Sequence, residues 1–504
     1  MAVSVATRRS EGSAPRASGA GPIAPPLPRR WSITAFDLQL LIAGVAVIIG
    51  GMWLRHGGAS LFADQIGAIA AVGQLTALYG TYLSLVGILL LSRAPWIDQV
   101  VGSDEAARLH RLSGFAAVWL LVAHTVASTA ALVSDGGAPT VAQLWQGIVD
   151  FTLQQEGGLG ATVAIALFIL VAVVSIRAAR ARLAYETWYG IHLYVYVAVA
   201  LGFLHQLAIG SDFIDDPLAR STWIALYLIA FVPLLIHRFG EPLLRNLRHR
   251  YYVDEVVMER PGVASIWIAG SNLEKLPMRA GQWFGIRLLT SDGWWRSNPY
   301  SLSAGPDARR LRFTVEALGD GSRRLQRVKP GTRVFLEGPY GVLTGAVRTR
   351  EKVLLIAGGI GITPLRALFE VLPARRGDLA LLYRAGSKDD LVFKQELNRI
   401  GEARGARVDF VTGSRDKYAF SDDPLSAGGL RAAYRDIAER DVYLCGSPRM
   451  MERVEKSLRE LGLPDSQIHL AALLHDVGKI VLSTLAPEEY REVLLRAWYD
   501  GGPL

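Results

Sequence analysis

Apolar residues fall along this chain in two rhythms. Up to about residue 240 they gather in six long stretches, centred on Leu38–Leu54, Ile66–Leu91, Leu112–Val133, Leu159–Ile176, Ile191–Ile209 and Trp223–Ile236. With their flanks these reach roughly 17–25 residues, the length at which a helix crosses ~30 Å of hydrocarbon. After Arg250 the runs shorten, alternate and are broken by Gly and Pro, as in "GVASIWIAG", "AGQWFGIRL" and "LRFTVEAL". Those are antiparallel strand signals. Further on, "KVLLIAGGIGITPLRALFEVL" reads as a buried strand, a Gly-rich turn and a helix beginning near Thr363-Pro364. Two more strand–turn–helix units follow, "LALLYRAGSKDDLVFKQEL" and "DVYLCGSPRMMERVEKSL". Residues 1–34, rich in Ala, Gly, Ser, Pro and Arg, have no apolar core to offset chain entropy and read as a disordered tail. They also lack the apolar segment of a signal peptide.

Charge gives the six stretches a direction. Arg8, Arg9, Arg16, Arg29 and Arg30 precede the first; Arg93, Arg108 and Arg111 lie between the second and third; Arg177, Arg180 and Arg182 between the fourth and fifth. Arg238, Arg245, Arg248 and Arg250 follow the sixth, whereas the alternate loops carry Asp135, Asp150, Glu156, Asp212, Asp215 and Asp216. By the excess of Arg on cytoplasmic loops, both termini and everything after residue 240 are expected in the cytoplasm, in a multi-pass plasma-membrane protein. The net charge of +8 comes from arginines flanking apolar runs, not from a basic patch interleaved with aromatics, which argues against a nucleic-acid partner. An apolar fraction of 51% over 504 residues is too high for an ordinary soluble enzyme and fits contact with membrane lipid. A single cysteine, Cys445, excludes an intrachain disulfide and any Cys-based zinc or iron–sulfur site.

Four of the nine histidines lie in two of the apolar stretches: His110 and His124 in the third, His192 and His205 in the fifth. An ionisable group at membrane depth is a functional candidate. One such imidazole would more simply be a hydrogen-bonding partner between helices; two per helix at matching depth call for more. The third and fifth stretches run in the same direction, so His110 lies level with His192 and His124 with His205. Fourteen residues rise about 21 Å along a helix, which suits two b-type haems stacked across the bilayer, each iron held by one imidazole from each helix. Closing both axial positions favours electron transfer over oxygen binding at iron. The His192–His205 step of thirteen does not return to the same helix face. It requires either a local 3₁₀ tightening or rings that leave at different azimuths.

In the second half "RSNPYSLSA", "GDGS", "GGIGITP", "YRA…DDLVF" and "YLCGSP" follow one another in the order of the ferredoxin–NADP⁺ reductase superfamily. Preceded by six spans with paired histidines, the whole resembles the transmembrane ferric reductase and NADPH oxidase group, over roughly residues 35–470. The resemblance implies a multidomain chain. A six-helix haem-binding transmembrane bundle (35–240) is followed by an antiparallel β-barrel FAD-binding domain (248–346) and an α/β Rossmann-like NAD(P)-binding domain (350–470). Pro299, Tyr300 and Ser301 match the family's flavin motif, in which the aromatic ring packs on the isoalloxazine and the hydroxyl bonds near its reactive nitrogen. Asn298 stands where the family often has Arg or His, leaving the flavin phosphate to Arg296 or Arg323. Gly319, Asp320, Gly321 and Ser322 match the pyrophosphate turn. Gly358, Gly359, Gly361, Thr363 and Pro364 match the nicotinamide-nucleotide phosphate loop, where glycines let the backbone approach and the helix start supplies unpaired amides. Cys445 and Gly446 match the segment beside the nicotinamide ring, so Tyr300, Ser301 and Cys445 are the catalytic candidates.

Tyr383-Arg384 ends the second strand where an acid would favour NADH, and Ser414 with Arg415 follows the next strand; together they favour NADPH. Residues 471–504 depart from the family. "LLHDVGK" resembles the metal motif of HD-type phosphohydrolases at His475 and Asp476, but so short a segment cannot build that bundle, and a surface-packed amphipathic helix is the simpler expectation. The family's terminal aromatic over the flavin is missing unless Trp498 or Tyr499 folds back. The expected function is electron transfer from NADPH through FAD and two haem b to an external acceptor: ferric chelate, dioxygen or a redox protein. The alternatives are a haem-binding anchor serving a partner protein and a signalling protein with an HD-like end.

Overall fold

The computed structural model describes residues 35–472 except 102, 135–136, 181, 184, 211–213, 215, 292 and 414–422. Ser414, Arg415, His475, Asp476, Trp498 and Tyr499 therefore lie outside the described residues, as does most of the 471–504 segment.

Among the described residues, six helices are long and apolar enough to span a membrane: Phe36–Arg55, Gln65–Leu90, Glu105–Val133, Gly158–Ser175, Glu186–Ile209 and Pro217–His249. They coincide with the six expected stretches. The third and fifth extend further at their first ends, and the sixth runs on to His249. Small residues let the second and third spans come close. Gly80 faces Leu120 and Leu121, Gly73 faces Ser128, and Gly87 faces Ser113, with no side chain of their own between the backbones. Tyr82, Leu85, Phe168, Val199, Trp223 and Tyr227 fill the centre of the bundle. A further helix, Val141–Gln154, lies between the third and fourth spans and opens with a capping box formed by Thr140 and Gln143.

The fifth span is not continuous. A helix Tyr185–His192 ends at the first of its histidines and a second, Tyr194–Ile209, begins two residues on. Leu193 N–H still bonds to Tyr189 O at 3.1 Å, but Tyr196 N–H reaches back three residues to Leu193 O, also at 3.1 Å. This is a local 3₁₀-type tightening between His192 and His205, one of the two ways of accommodating the thirteen-residue step.

The strand-rich half begins with two three-stranded antiparallel sheets. One has the order β1 (Tyr252–Arg260), β2 (Val263–Ala269), β5 (Arg310–Glu316). The other has the order β4 (Asn298–Ser301), β3 (Trp283–Leu288), β6 (Val334–Tyr340). Single bridges, Tyr252 to Arg333 and Leu302 to Phe313, join their edges where a closed barrel had been expected to carry full ladders. Alternating residues such as Ile266, Ile268, Phe284, Ile286, Phe313 and Leu336 form a shared core. A five-stranded parallel sheet follows, ordered β11 (Ile468–Ala472), β10 (Arg440–Gly446), β7 (Lys352–Gly358), β8 (Leu379–Ala385), β9 (Arg407–Thr412). Val353–Ala357 of β7 are buried to the last residue, as expected of a strand covered by helices on both faces.

The two halves of the chain meet at named contacts. Arg245 Nη1 donates to Gly338 O at 2.8 Å, and Asn246 exchanges two 2.7–2.8 Å hydrogen bonds with the backbone of Leu336. The Arg93 guanidinium lies 4.2 Å over the Tyr340 ring and 5.6 Å from that of Trp283. Arg296 pairs with Glu186, the first residue of the fifth span, at 3.3 Å. The strand-rich half thus docks at the end of the bundle where the third and fifth spans begin.

Candidate functional site

His110 and His192 face one another from the third and fifth spans, their ring centroids 6.1 Å apart and their planes at 71°. Two imidazoles binding one metal ion through bonds of about 2 Å place their ring centres roughly 6 Å apart. His110 Nδ1 donates to Gly87 O at 3.0 Å, and His124 Nδ1 to Gly73 O at 3.0 Å, with Ser128 Oγ 3.1 Å away. In both rings this leaves Nε2 as the nitrogen available to a metal. His205 forms an edge contact with Phe151 at 5.8 Å. The Nδ1 atoms of His192 and His205 are buried without a hydrogen-bond partner. The His192 ring is instead held by Trp188, stacked on it at 5.0 Å and 26°, with Arg180 4.5 Å over the indole. No cluster of three or more His, Cys, Asp or Glu side chains able to hold a metal exists among the described residues. A pair of imidazoles supplies only two ligands, so these residues suit iron whose remaining positions are filled by a macrocycle; the haem fits.

Gly73 and Gly87, which anchor the two rings, were not singled out in the sequence. The signal was present: they stand fourteen residues apart on the second span, the same separation as His110 and His124 on the third.

Four of the flavin candidates share one recess. Arg296, Asn298, Tyr300 and Gly321 line it together with Gly293 and Arg324. β4 puts Tyr300 opposite Phe284 of β3, buried to 8% exposure, while Asn298, Pro299 and Ser301 are half-buried. Burial pushes the Tyr300 phenol above its ordinary range, so it acts as a neutral ring and donor. Gly321 lies so close to Asn298 that a Cβ there would stand 2.7 Å from its amide nitrogen. Ser322 Oγ accepts from the Leu318 and Gly319 amides at 3.0 and 2.9 Å, which leaves the amides of Asp320 and Gly321 for a pyrophosphate. Arg323 pairs with Asp320 at 2.9 Å; Arg324, missed in the sequence, is the helix arginine that reaches the recess. Two guanidiniums, an aromatic ring and a side-chain-free turn are the donor chemistry that a flavin and its diphosphate call for.

The nucleotide loop and the Cys445-Gly446 segment come together because β10 lies beside β7, at the point where the strand order of the sheet reverses. A Cβ on Gly361 would fall 2.4 Å from Cys445 O, and one on Gly358 2.2 Å from Met450 Sδ. Gly359 adopts φ +55°, which a side chain rarely does. Thr363 Oγ1 donates to Ile360 O at 3.0 Å, and Pro364 follows in the first turn of the helix Ile362–Val371. Cys445 is 1% exposed and burial pushes its thiol up to about 12, so it is a packed neutral wall and not a thiolate nucleophile. Arg384 is already engaged, 3.4 Å from the buried carboxylate of Asp423, which also holds Arg453 at 3.1 Å.

Buried charges join the β1–β2–β5 sheet to the helices Ile362–Val371 and Lys394–Arg404 that flank the five-stranded sheet. Arg312, 7% exposed, bonds to Glu259 at 2.7 Å and to both oxygens of Glu396 at 3.0 Å; Arg366 bonds to Glu370 at 2.5 Å and also to Glu396. The Arg312 guanidinium lies 4.4 Å over Phe393.

Residues 76–203 match the ferric reductase-like transmembrane component family, and residues 355–456 the oxidoreductase NAD-binding domain. Ferredoxin–NADP reductase B of Sorangium cellulosum is 30% identical over 210 residues, 38% of this chain and 83% of that protein. NADH oxidoreductase HCR of Escherichia coli is 28% identical over 220 residues, 42% of this chain and 65% of that protein. The FAD/NAD-binding domain of nitric oxide dioxygenase from Vibrio cholerae aligns with 24% identity and a TM-score of 0.36, over 45% of this chain and 99% of that one.

Proposed function

The chain belongs to the ferric reductase-like membrane oxidoreductases that carry a ferredoxin–NADP reductase-type module, and from that membership we propose that it moves electrons from cytoplasmic NADPH, by way of FAD and two b-type haems, to an acceptor outside the plasma membrane. The observation that carries this is the facing pair His110 and His192, 6.1 Å between rings, at the end of the bundle where the nucleotide module docks.

Conversion of a hydride into single electrons is the chemistry a bound FAD supplies, and one-electron carriage is what haem supplies. The chain's residues do the positioning. Gly358, Gly359 and Gly361 let the nucleotide phosphates approach the backbone, and Thr363 fixes the turn through Ile360 O. The buried Cys445 and Gly446 form a dry wall beside the nicotinamide. Tyr300 would present its ring to the isoalloxazine and Ser301 its hydroxyl, while Arg296 and Arg324 would meet the flavin diphosphate in place of the Arg or His that the family often has at Asn298. His110 with His192 would hold the iron near the nucleotide module, and His124 with His205 would hold the iron near the far face. Haem held by two imidazoles would supply one-electron carriage at these positions.

NADPH is favoured over NADH by Ser414 and Arg415 and by the absence of an acid at Tyr383-Arg384. Arg384 contributes less than its charge suggests, because Asp423 engages it. Ferric chelate, dioxygen and a redox protein are the acceptor classes.

The test is vectorial. Protein is reconstituted into sealed liposomes, NADPH is added to one side, and ferric citrate or cytochrome c is trapped on the other. Reduction of the trapped acceptor is expected, faster with NADPH than NADH and abolished in His124→Ala. Acceptor reduction only on the NADPH side would overturn the proposal.

A further inference from the structure

The loop between β3 and β4 exposes three large apolar side chains close together in sequence: Leu289 at 49%, Trp294 at 59% and Trp295 at 43%. The loop is built, not slack. Trp294 N–H and Gly293 N–H both bond to Thr290 O at 3.2 Å, Arg296 N–H bonds to Gly293 O at 3.0 Å, and Arg287 Nη1 donates to Trp294 O at 3.3 Å. Its next residue, Arg296, pairs with Glu186 at the first residue of the fifth span, which places the loop beside the membrane boundary. Behind it opens a recess of about 590 Å³ lined by Thr290, Arg323, Arg324, Arg327, Lys329 and Thr332, where four cations face a single carboxylate, Asp320.

We propose that this face is a lipid-binding surface: Trp294 and Trp295 enter the headgroup layer of the leaflet next to the nucleotide module, and the recess takes the phosphate of an anionic phospholipid. Tryptophan prefers that depth because its ring is amphipathic, and basic side chains beside a span end draw anionic headgroups. Continuity with the span end commits the surface to lipid, and the positive recess commits it to an anionic one. Held in this way, the flavin domain keeps a fixed height above the inner histidine pair.

The test uses the full-length, flavin-loaded protein in nanodiscs of phosphatidylcholine alone or with phosphatidylglycerol. Amide exchange in residues 289–296 is expected to slow when phosphatidylglycerol is present. Native mass spectrometry should show phosphatidylglycerol bound, weakened about 30-fold in R327Q/K329Q, two cations that lie outside the flavin recess. FAD per chain should stay constant in that variant, and W294S/W295S should remove the exchange difference between the two discs. Three results would overturn the proposal. Exchange could be equal in both discs. R327Q/K329Q could lose FAD, which would assign the recess to the flavin's adenylate. Glycerol 3-phosphate could displace the lipid at equal concentration, which would make the ligand a soluble phosphate.

Discussion

Gly73 is the position where one methyl group should separate the two proposed iron sites. A Cβ there would stand 2.6 Å from Ser128 Oγ, 3.1 Å from Ser128 N and 3.4 Å from Ser128 Cα. The hydroxyl could rotate away, at the cost of its 3.1 Å contact with His124 Nδ1, but the backbone nitrogen cannot. Bringing that contact from 3.1 Å to an ordinary 3.4 Å moves the second and third spans apart and stretches the 3.0 Å bond from His124 Nδ1 to Gly73 O by a similar amount. Overpacking of this kind costs about 1–3 kcal/mol, and loss of a ligand's supporting hydrogen bond lowers metal affinity roughly 10–100-fold. Gly87→Ala is the internal control: its Cβ would meet Ser113 Oγ at 3.1 Å and His110 Nδ1 at 3.4 Å, where a side-chain hydroxyl alone must give way. Haem per chain, measured by pyridine haemochromogen on detergent-purified protein, should fall from two toward one in G73A and stay near two in G87A. A redox titration should show that the site lost is the one ligated by His124. Two haems with unchanged potentials in G73A would refute the anchoring role of the glycine carbonyl.

Glu396→Gln removes the charge shared by Arg312 and Arg366, both nearly buried, and breaking such a buried pair costs about 3–5 kcal/mol. Unfolding of the nucleotide module, followed by release of flavin fluorescence, should move down by roughly 10 °C; an unchanged midpoint would show that the network is dispensable. Arg324→Gln should weaken FAD retention at least about tenfold, consistent with loss of one charge-assisted contact, and Asn298→Arg in the same chain should restore it. Acid stability carries a sign that can be checked. Burial alone would raise Asp436, but Arg440 at 2.9 Å and Lys352 at 3.0 Å hold it at about 2, below its ordinary 3.8. Its contribution, at most about 2 kcal/mol after screening, is therefore complete above pH 4 and lost as the pH falls from 3.8 toward 2. Asp436→Asn should flatten the acid limb of the stability profile in that window, and an identical limb would contradict the assignment.

The six spans and their histidines were legible because a membrane imposes long uninterrupted apolar runs, against which an imidazole stands out. The strands, the glycine loop and the Cys445-Gly446 turn were legible because β7 and β10 each combine a buried run with a turn of required shape. What escaped depends on contacts between distant residues. The anchoring of His110 and His124 by glycine carbonyls involves no side chain on the second span, so composition hides it and only the matching separation betrays it. Asp423 lies 39 residues from the Arg384 it engages, and nothing local marks it as a partner. Arg324 and Arg323 are neighbours in one short helix; only the packing of Gly293 and Asn298 decides which one faces the flavin recess. The break at Leu193, where Tyr196 N–H bonds back to Leu193 O, is likewise a backbone feature that no side chain marks.

The central claim is that four histidines hold two haems in line with a flavin site. Its most direct measurement is anaerobic. The chain is purified in detergent, haem b and FAD per chain are determined, and NADPH is added while the absorption spectrum is followed. Two haems and one FAD per chain, with both haems reduced by NADPH and only one retained in His192→Ala, is the predicted result. A chain that binds FAD and oxidises NADPH but carries no haem would contradict the account.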